Sequence, residues 1–342
     1  MDTLLNRRIV LAERPTGTPG PAHFRRADAP AGAPGEGELL IRNHYLSIDP
    51  AQRSWLSTGS NYSDPVPVDG VMRSLAVGVV QASRSARYAA GDFLYGWFGW
   101  QDYCVATEAM VLSRVLARNG PPASGLGLFG ISGLTAVLAL GEIGRPQAGE
   151  TVLVTTAAGA VGSVVGQVAR RAGCRVVGLA GSDEKVARCV AQFGYHAALN
   201  YRTGLSSERV RAMCPQGIDV FFDNTSGEIA DAVWPLINLR GRIVQCGTAA
   251  VSGWDPAPMA PRRERAVLTR RLRHEGFIIF DHVPRFPAVI EQLAAWSREG
   301  AIVFPEDHER GLDRAPAALA ALYRGENLGK KIIQIADGER AL

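Results

Sequence analysis

The segment Thr151–Lys185 constrains the fold more than any other part of the chain, because two apolar stretches flank a glycine turn and a helical pattern. Thr151–Thr155 is a short β-branched run typical of a buried parallel strand, and Arg175–Ala180 is a second such run. Gly159 and Gly162 form the turn between them, and small or apolar residues follow at helical spacing. The order of strand, glycine turn, helix and strand predicts a βαβ unit that binds a dinucleotide.

The glycines of this turn carry the prediction. Without side chains, they let backbone N–H groups approach a pyrophosphate, which then lies at the positive end of the helix. Ala157 stands where the first glycine of the usual motif would be, so the pattern is AxGxxG. A bare match of this kind is weak, and the flanking strands and helix supply its support. A tight structural turn without a ligand is the alternative.

The end of the second predicted strand indicates which dinucleotide is bound. The chain continues there with Gly181 and Ser182, where NAD-binding proteins carry Asp or Glu. A carboxylate there would accept from the ribose 2′-hydroxyl of NAD and repel a 2′-phosphate, so its absence, with Ser182 and Lys185 close by, favours NADP. Asp183 complicates this, although as an early residue of the next helix it suits the helix dipole. A solvated helix residue is the alternative role of Lys185.

Composition and charge exclude other classes of protein. The net charge of +4 over 342 residues is too small to argue for a nucleic-acid partner and suits an enzyme with a phosphorylated cofactor. Five scattered cysteines, an odd number, are typical of a reducing compartment without a disulfide framework. The N-terminus lacks a signal-peptide pattern, and no apolar run is long enough to span a membrane. We therefore expect a soluble cytoplasmic protein.

Two regions of the chain differ in pattern. Up to about Leu126, short apolar or alternating segments separated by Gly, Pro and Asp predict a small, partly open β-barrel. From there to about Gly300, strands and helices alternate, which predicts an α/β fold with a doubly wound parallel sheet. The tail returns to a strand-like stretch at Ile302–Phe304, a helix and a final strand. The strands predicted for the sheet are Thr151–Thr155, Arg175–Ala180, Ala197–Asn200, Asp219–Asp223, Arg242–Cys246 and Phe277–Phe280.

The residues that end these strands are candidates for cofactor contacts, because a dinucleotide lies across the carboxyl ends of a parallel sheet. Asn224 offers both a donor and an acceptor, with an Asx turn or a helix cap as its alternative role. Cys246 and Gly247 end the next strand and open a loop of small residues. The Cys246 side chain itself is expected to be a buried small hydrophobe.

Other kinds of site find less support in the sequence. No CxxC pair and no HExxH motif occurs, so we predict no metal. No GxSxG elbow occurs, which argues against a triad hydrolase. The run Arg262–Arg273 holds six arginines, and a nucleic-acid or membrane patch is conceivable there. Apolar residues interleave with the arginines, which favours an amphipathic helix with an arginine-rich solvent face.

Several separate motifs, in the expected order, resemble one family over nearly the whole chain. The motifs are AAGAVGSVVGQVA, GSDEK, FDN, the CG loop, GFII and the terminal NLGK, with YLSIDPAQR, PVPVDGVMR and WFGWQDY before them. They resemble the zinc-independent medium-chain dehydrogenases/reductases, and more narrowly the prostaglandin reductase and curcumin reductase group, which reduces activated double bonds with NADPH. The resemblance implies a GroES-like catalytic domain at 1–125, to which 301–342 returns, and an NADP-binding Rossmann domain at 126–300. It also implies a homodimer.

The resemblance implies a role for each segment of the cofactor site. Gly159, Ala160, Val161 and Gly162 would hold the pyrophosphate. Lys185 and Tyr201 would lie at the 2′-phosphate, with Ser182 near it. Asn327 would reach the cofactor from the tail. The residues that would line the ribose and nicotinamide are Asn224, the loop Cys246, Gly247, Thr248 to Ser252, and Phe277, Ile278 and Ile279.

The chain departs from this family at the substrate. Two tyrosines of the family fall where this chain has Phe280 and Ala51, and phenylalanine donates no hydrogen bond. Tyr62 matches a tyrosine of the bacterial members and is the candidate donor to the substrate carbonyl, with a non-catalytic loop tyrosine as the alternative. The implied activity is reduction of the C=C bond of an enone or enal. A zinc-free quinone reductase and a non-catalytic NADPH-binding redox sensor are the alternatives.

Overall fold

A computed structural model describes residues 4–59, 62–251, 253–254, 256 and 258–336. Its strands are β1 (Leu5–Leu11), β2 (Phe24–Pro30), β3 (Glu38–Ser47), β4 (Ala76–Ser83), β5 (Phe93–Gly96), β6 (Tyr103–Thr107), β7 (Val111–Arg114), β8 (Thr151–Thr155), β9 (Arg175–Ala180), β10 (Ala197–Asn200), β11 (Ile218–Asp223), β12 (Ile237–Gln245), β13 (Arg273–Gly276), β14 (Glu306–Arg310) and β15 (Lys330–Gln334). Its α-helices are α1 (Ala51–Leu56), α2 (Ile131–Ala139), α3 (Ala160–Arg171), α4 (Asp183–Gln192), α5 (Ser207–Met213), α6 (Gly227–Val233), α7 (Glu264–Arg270), α8 (Phe286–Arg298) and α9 (Ala315–Arg324).

The chain divides into two compact units. One comprises the residues up to Gly130 together with the chain from Glu306 onward, and the other runs from Ile131 to Pro305. Sequence analysis predicts domain boundaries after residues 125 and 300, and the roles that it assigns to the two domains stay predictions.

The second unit is built on a parallel sheet of six strands in the order β10-β9-β8-β11-β12-β13. The central strand β8 is buried along its whole length, as its apolar sequence requires. Helix α3 crosses over from β8 to β9, which pair in parallel from Thr151 opposite Arg175 to Thr155 opposite Leu179. The order reverses between β8 and β11, the place where such sheets bind ligands. The predicted α/β fold with a doubly wound sheet is confirmed.

The last strand of this sheet lies earlier in the chain than predicted. The prediction at Phe277–Phe280 is wrong, because Arg273–Gly276 pairs with β12 instead. An edge strand needs one pairing neighbour and no buried face, so its polar sequence carries no apolar signal. Phe277 and Ile279 are buried after the strand has ended. The apolar run therefore marks packing rather than pairing.

The strand predicted at Ile302–Phe304 is also wrong. Val303 exchanges two backbone hydrogen bonds of 2.8 Å with the side-chain amide of Gln167, on helix α3. The backbone polar groups of this segment are thus satisfied by a side chain instead of a neighbouring strand. The strand follows as β14, which pairs in parallel with β15.

The arginine-rich run forms helix α7 and leads into β13. Arg263 lies with its guanidinium carbon 4.2 Å from the centre of the Trp234 ring and forms an ion pair with Asp231. Arg270 donates to the carbonyls of Pro235 and Ile237, both at 2.9 Å. Two of the six arginines therefore bind other parts of the same unit, in addition to the solvent face that the sequence predicts.

The first unit contains a sheet in the order β14-β15-β3-β4-β5-β7, with β6 paired to β3, and a separate β1-β2 pair. Its core includes Trp55, Phe98 and Trp100, each at most 1 % exposed. The β-rich character predicted for this part of the chain is confirmed. Phe98 and Trp100 belong to the core, whereas Trp97 is partly buried and packs edge-on against Trp55 with ring centroids 5.3 Å apart.

Two motifs far apart in the sequence meet in a buried ion pair of this unit. Lys330, of the NLGK motif, pairs through Nζ with Asp49, of the YLSIDPAQR motif, and donates to the carbonyl of Ile48 at 3.2 Å. Ser47 Oγ also donates to the Asp49 carboxylate. Lys330 is 2 % exposed, so removing either partner would leave an uncompensated buried charge. This pair joins the tail to the start of α1.

Candidate functional site

The turn from β8 to α3 is closed by backbone contacts that only glycine allows. A methyl group on Gly162 would lie 2.4 Å from the carbonyl oxygen of Thr156 and 2.9 Å from the Cα of Ala157. Gly159 is the residue before the helix, and its N–H donates to the Thr156 carbonyl at 2.8 Å. Ala160, Val161 and Gly162 form the first turn of α3, whose N–H groups have no carbonyl of the helix to donate to. The turn therefore presents N–H donors at the positive end of a helix.

The alanine at the first glycine position of the motif is accommodated by a glycine on the neighbouring strand. Ala157 is fully buried, and a methyl group on Gly178 of β9 would lie 2.7 Å from the Ala157 Cβ. The Ala157 methyl thus occupies space that Gly178 leaves empty. This packing explains how the pattern AxGxxG forms the turn.

Tyr195 supports this turn and is not among the residues singled out by sequence analysis. Its hydroxyl donates to the Gly162 carbonyl at 2.7 Å, and its ring fills space beside Gly166 and Gly178. The residue is 1 % exposed, and burial raises the pKa of its hydroxyl well above the usual value. A pair of glycines on facing elements is the only signal in the sequence for this contact. Tyr195 holds the first turn of α3 against the sheet.

The end of β9 gathers the residues predicted for the 2′-phosphate. Ser182 precedes helix α4, and its Oγ accepts from the Lys185 N–H at 3.3 Å. A methyl group on Gly181 would lie 2.7 Å from the Tyr201 hydroxyl, so Tyr201 lies directly over the end of β9. The Asp183 carboxylate accepts from Asn200 Nδ2 at 2.9 Å, which ties that acid to the end of β10. Ser182, Lys185 and Tyr201 thus come together at one strand end.

Asn224, at the end of β11, links two strand ends. Its backbone N–H donates to Thr155 Oγ1 at 2.7 Å, and its Nδ2 donates to the Thr155 carbonyl at 2.8 Å. The neighbouring Asp223 is 1 % exposed, and one of its oxygens accepts from Thr225 N at 2.8 Å and Ser226 N at 3.0 Å. The donor half of the Asn224 amide is therefore structural, and its Oδ1 is the group that faces no donor among the described residues.

The loop after β12 is fastened to the loop after β11. The N–H groups of Cys246 and Gly247 donate to the Asp223 carbonyl at 2.8 and 3.1 Å. A methyl group on Gly247 would lie 2.9 Å from the Asn224 carbonyl. Thr248 accepts from Val251 N at 3.0 Å, and the predicted contact residue Ser252 lies outside the described residues. Desolvation by burial raises the pKa of the Cys246 thiol to about 12, as suits a packing role.

The segment after β13 lies beside this loop. The Phe277 N–H donates to the Gln245 carbonyl at 3.1 Å. Phe277 and Ile279 are each 7 % exposed, and Ile278 between them is partly buried. His282, which sequence analysis does not single out, stacks on the Phe277 ring with centroids 4.7 Å apart and planes 11° apart. An imidazole with a fixed orientation therefore follows the predicted nicotinamide segment.

The remaining candidates lie in the first unit. Tyr62 is 48 % exposed, and its hydroxyl accepts from Trp55 Nε1 at 3.2 Å. Ala51 begins helix α1 and presents only a methyl group where the family carries a tyrosine. The Asn327 amide donates to the Gly329 carbonyl at 2.7 Å, within its own turn. The catalytic role of Tyr62 and the cofactor contact of Asn327 stay predictions.

The described residues were also searched for metal and membrane sites. Among them, no three His, Cys, Asp or Glu side chains are grouped so that they could hold a metal ion. None of the helices described combines the length and the apolar content that crossing a bilayer requires.

The geometry of the second unit fits a phosphorylated dinucleotide. The carboxyl ends of β8, β9, β11 and β12 carry, in turn, a helix start with N–H donors, a hydroxyl and a cation, an amide, and a loop of small residues. No carboxylate ends β9, and the one close by is held by Asn200. These are the donors that a pyrophosphate and a 2′-phosphate require.

Two family models match the chain. Residues 7–113 match the model described as the N-terminal domain of oxidoreductase, and residues 160–295 match the model described as zinc-binding dehydrogenase. The first match lies in the β-rich unit and the second in the unit with the parallel sheet.

Curated relatives and a solved structure match over nearly the full length. The NADPH-dependent curcumin reductase of Escherichia coli is 38% identical over 339 residues, 97% of each chain. The NADP⁺-dependent 2-alkenal reductase of Nicotiana tabacum is 32% identical and covers 97% of this chain and 98% of that entry's length. The crystal structure of CurA from Vibrio vulnificus in complex with NADPH aligns with a TM-score of 0.91 at 35% identity, over 97% of this chain and 100% of the other. The chain therefore belongs to the zinc-independent medium-chain dehydrogenase/reductase family of NADP-dependent oxidoreductases, in the group that contains the curcumin, alkenal and prostaglandin reductases.

Proposed function

We propose that this chain uses NADPH to reduce the carbon–carbon double bond of α,β-unsaturated ketones and aldehydes. The observation that carries the proposal is the end of β9, where a hydroxyl, a cation and a phenol meet without a carboxylate of their own. The names of the relatives support the substrate class, because curcumin and 2-alkenals both contain a double bond conjugated to a carbonyl.

Each group of the cofactor has residues that suit it. The first turn of α3, from Gly159 to Gly162, would bind the pyrophosphate. Ser182, Lys185 and Tyr201 would bind the 2′-phosphate. The ribose and nicotinamide would lie against Asn224, Cys246 to Thr248 and Phe277 to Ile279, with Asn327 contributing from the tail.

The reaction asks two things of the protein. NADPH supplies a hydride for the β-carbon of the substrate, which leaves negative charge on the carbonyl oxygen as an enolate. The protein has to hold the substrate and to donate a hydrogen bond to that oxygen, and the α-carbon has to receive a proton. Tyr62 is the proposed donor. Its hydroxyl accepts from Trp55, which leaves its own proton to donate.

A substrate panel tests the proposal. Purified protein is mixed with NADPH and with enones, enals and quinones, and both NADPH oxidation and products are recorded. The proposal expects saturated ketones or aldehydes as products. Turnover of quinones alone would point to a quinone reductase, and tight NADPH binding without any turnover would point to a sensor or a binding partner.

The cysteines speak against a thiol-based redox sensor. Burial raises the pKa of Cys104, Cys189 and Cys246 to about 12, and burial is also the main cause that raises the pKa of Cys174 and Cys214 to about 11. Oxidation proceeds through the thiolate, which is scarce at neutral pH when the pKa lies this high. We expect slow labelling of native protein by a disulfide reagent at pH 8 and complete labelling in denaturant. Fast labelling of a native thiol would reopen the sensor hypothesis.

A further inference from the structure

Arg202 lies at the strand end that we assign to the 2′-phosphate. It follows β10 by two residues, and its side chain is exposed. A methyl group built on Gly181, at the end of β9, would lie 2.7 Å from the Tyr201 hydroxyl and 3.7 Å from Arg202 Nε. The guanidinium group and the phenol therefore lie over the same stretch of backbone, immediately before Ser182.

The turn that carries Arg202 is fixed to the sheet. The Tyr201 N–H donates to the Ala180 carbonyl at 3.0 Å, and the Arg202 N–H donates to Asn200 Oδ1 at 3.0 Å. The same Asn200 side chain donates to the Asp183 carboxylate at 2.9 Å. One side chain thus positions Arg202 and also holds the nearest acid, so the position of the cation relative to Ser182 is set by hydrogen bonds.

The charge of the ligand calls for more than one cation. A phosphate monoester carries about −1.5 to −2 charges at pH 7, and a single lysine offsets one of them. A guanidinium group adds a planar pair of donors that matches phosphate oxygens. We propose that Arg202 is a second cation of the 2′-phosphate site and a determinant of the preference for NADP over NAD. This inference rests on the proposed use of NADPH.

The test measures binding of two small nucleotides by calorimetry. The probe 2′,5′-ADP carries the 2′-phosphate, 5′-AMP lacks it, and neither carries the nicotinamide. Arg202→Ala should weaken binding of 2′,5′-ADP by roughly tenfold or more and change binding of 5′-AMP less than about twofold. Arg202→Lys should recover part of the loss, because it keeps the charge and loses the fork of donors.

Arg211→Ala is the matched control. It removes the same charge from an exposed arginine next to Gly217 and Ile237, where β11 and β12 begin, at the opposite end of the strands. Binding of 2′,5′-ADP should be unchanged in this variant. An equal loss in both variants would mean that net charge alone acts.

The outcomes separate this inference from the proposed function. If the unmodified protein prefers 2′,5′-ADP over 5′-AMP and Arg202→Ala binds both as before, the role of Arg202 is refuted while the use of NADPH stands. If the unmodified protein shows no preference between the two probes, the proposed use of NADPH fails first.

Discussion

Two neighbouring strand ends of the parallel sheet are built in different ways. At the end of β8 the turn is buried and closed by backbone, and a methyl group on Gly162 has no room. At the end of β9 the candidate groups are side chains on a helix start and a turn, and Arg202 among them is exposed. The first end governs whether any dinucleotide binds, and the second governs which one. Buried packing resists substitution, whereas exposed side chains can change without refolding the unit.

The largest effect is expected for Gly162→Ala. Its methyl group would lie 2.4 Å from the Thr156 carbonyl, so the turn has to move. Such overpacking costs roughly 1–3 kcal/mol of stability. Binding of NADPH and NADH should fall together, on the order of 100-fold, because the displaced N–H groups serve both. Nucleotide fluorescence titration and thermal unfolding measure the two effects.

Gly141→Ala is the control for this change. No atom outside its immediate surroundings lies within 4 Å of the added methyl group, so binding of both nucleotides should be unaffected. Loss of NADPH binding alone in Gly162→Ala would contradict the assignment of this turn to the shared pyrophosphate.

Lys185→Ala tests the second strand end. Removing one cation from a phosphate site should weaken NADPH binding by about 2 kcal/mol, roughly 30-fold, and leave NADH nearly unchanged. Arg188→Ala is the control, because Arg188 lies on the same helix and is paired with Glu184. An equal loss for both nucleotides in Lys185→Ala would remove Lys185 from the 2′-phosphate site.

Tyr62→Phe tests the proposed donor to the substrate. Loss of one hydrogen bond to an enolate oxygen should lower kcat on the order of tenfold with little change in the KM for NADPH. His282→Phe keeps a ring stacked on Phe277 and removes the imidazole. If kcat falls in His282→Phe and not in Tyr62→Phe, the donor is the imidazole and the assignment to Tyr62 is wrong.

Tyr195→Phe should give the smallest effect. It leaves the buried Gly162 carbonyl without the hydroxyl that donates to it at 2.7 Å, at a cost of about 1 kcal/mol of stability. NADPH and NADH should both bind about threefold more weakly, because the shared turn loosens. Tyr103→Phe, in the other unit, should change neither nucleotide. A loss restricted to NADPH would show that the two strand ends are not independent.

The sequence predicts the buried strands of the sheet well and its edge poorly. The bounds of β8, β9 and β10 match the prediction residue for residue, because each is a short apolar run with turn residues on both sides. Strand β13 is polar and pairs on one side, so the pattern selects the apolar residues after it instead. The segment at Val303 is apolar but bonds to the Gln167 amide.

The candidate site divides in the same way. Ser182, Lys185 and the glycine turn follow from the order of elements along the chain, because each stands next to a strand end. Tyr195, by contrast, contacts Gly162 across 33 positions of sequence, and Lys330 contacts Asp49 across 281. No local pattern marks such pairs, since the fold alone brings them together.

The central claim is most directly tested by comparing NADPH with NADH as reductants of one enone, with the product identified. The account predicts a saturated ketone as product and a kcat/KM for NADPH at least about 100-fold above that for NADH, as two cations at the 2′-phosphate together imply. Equal rates with both nucleotides, or a product whose double bond is intact, would contradict it.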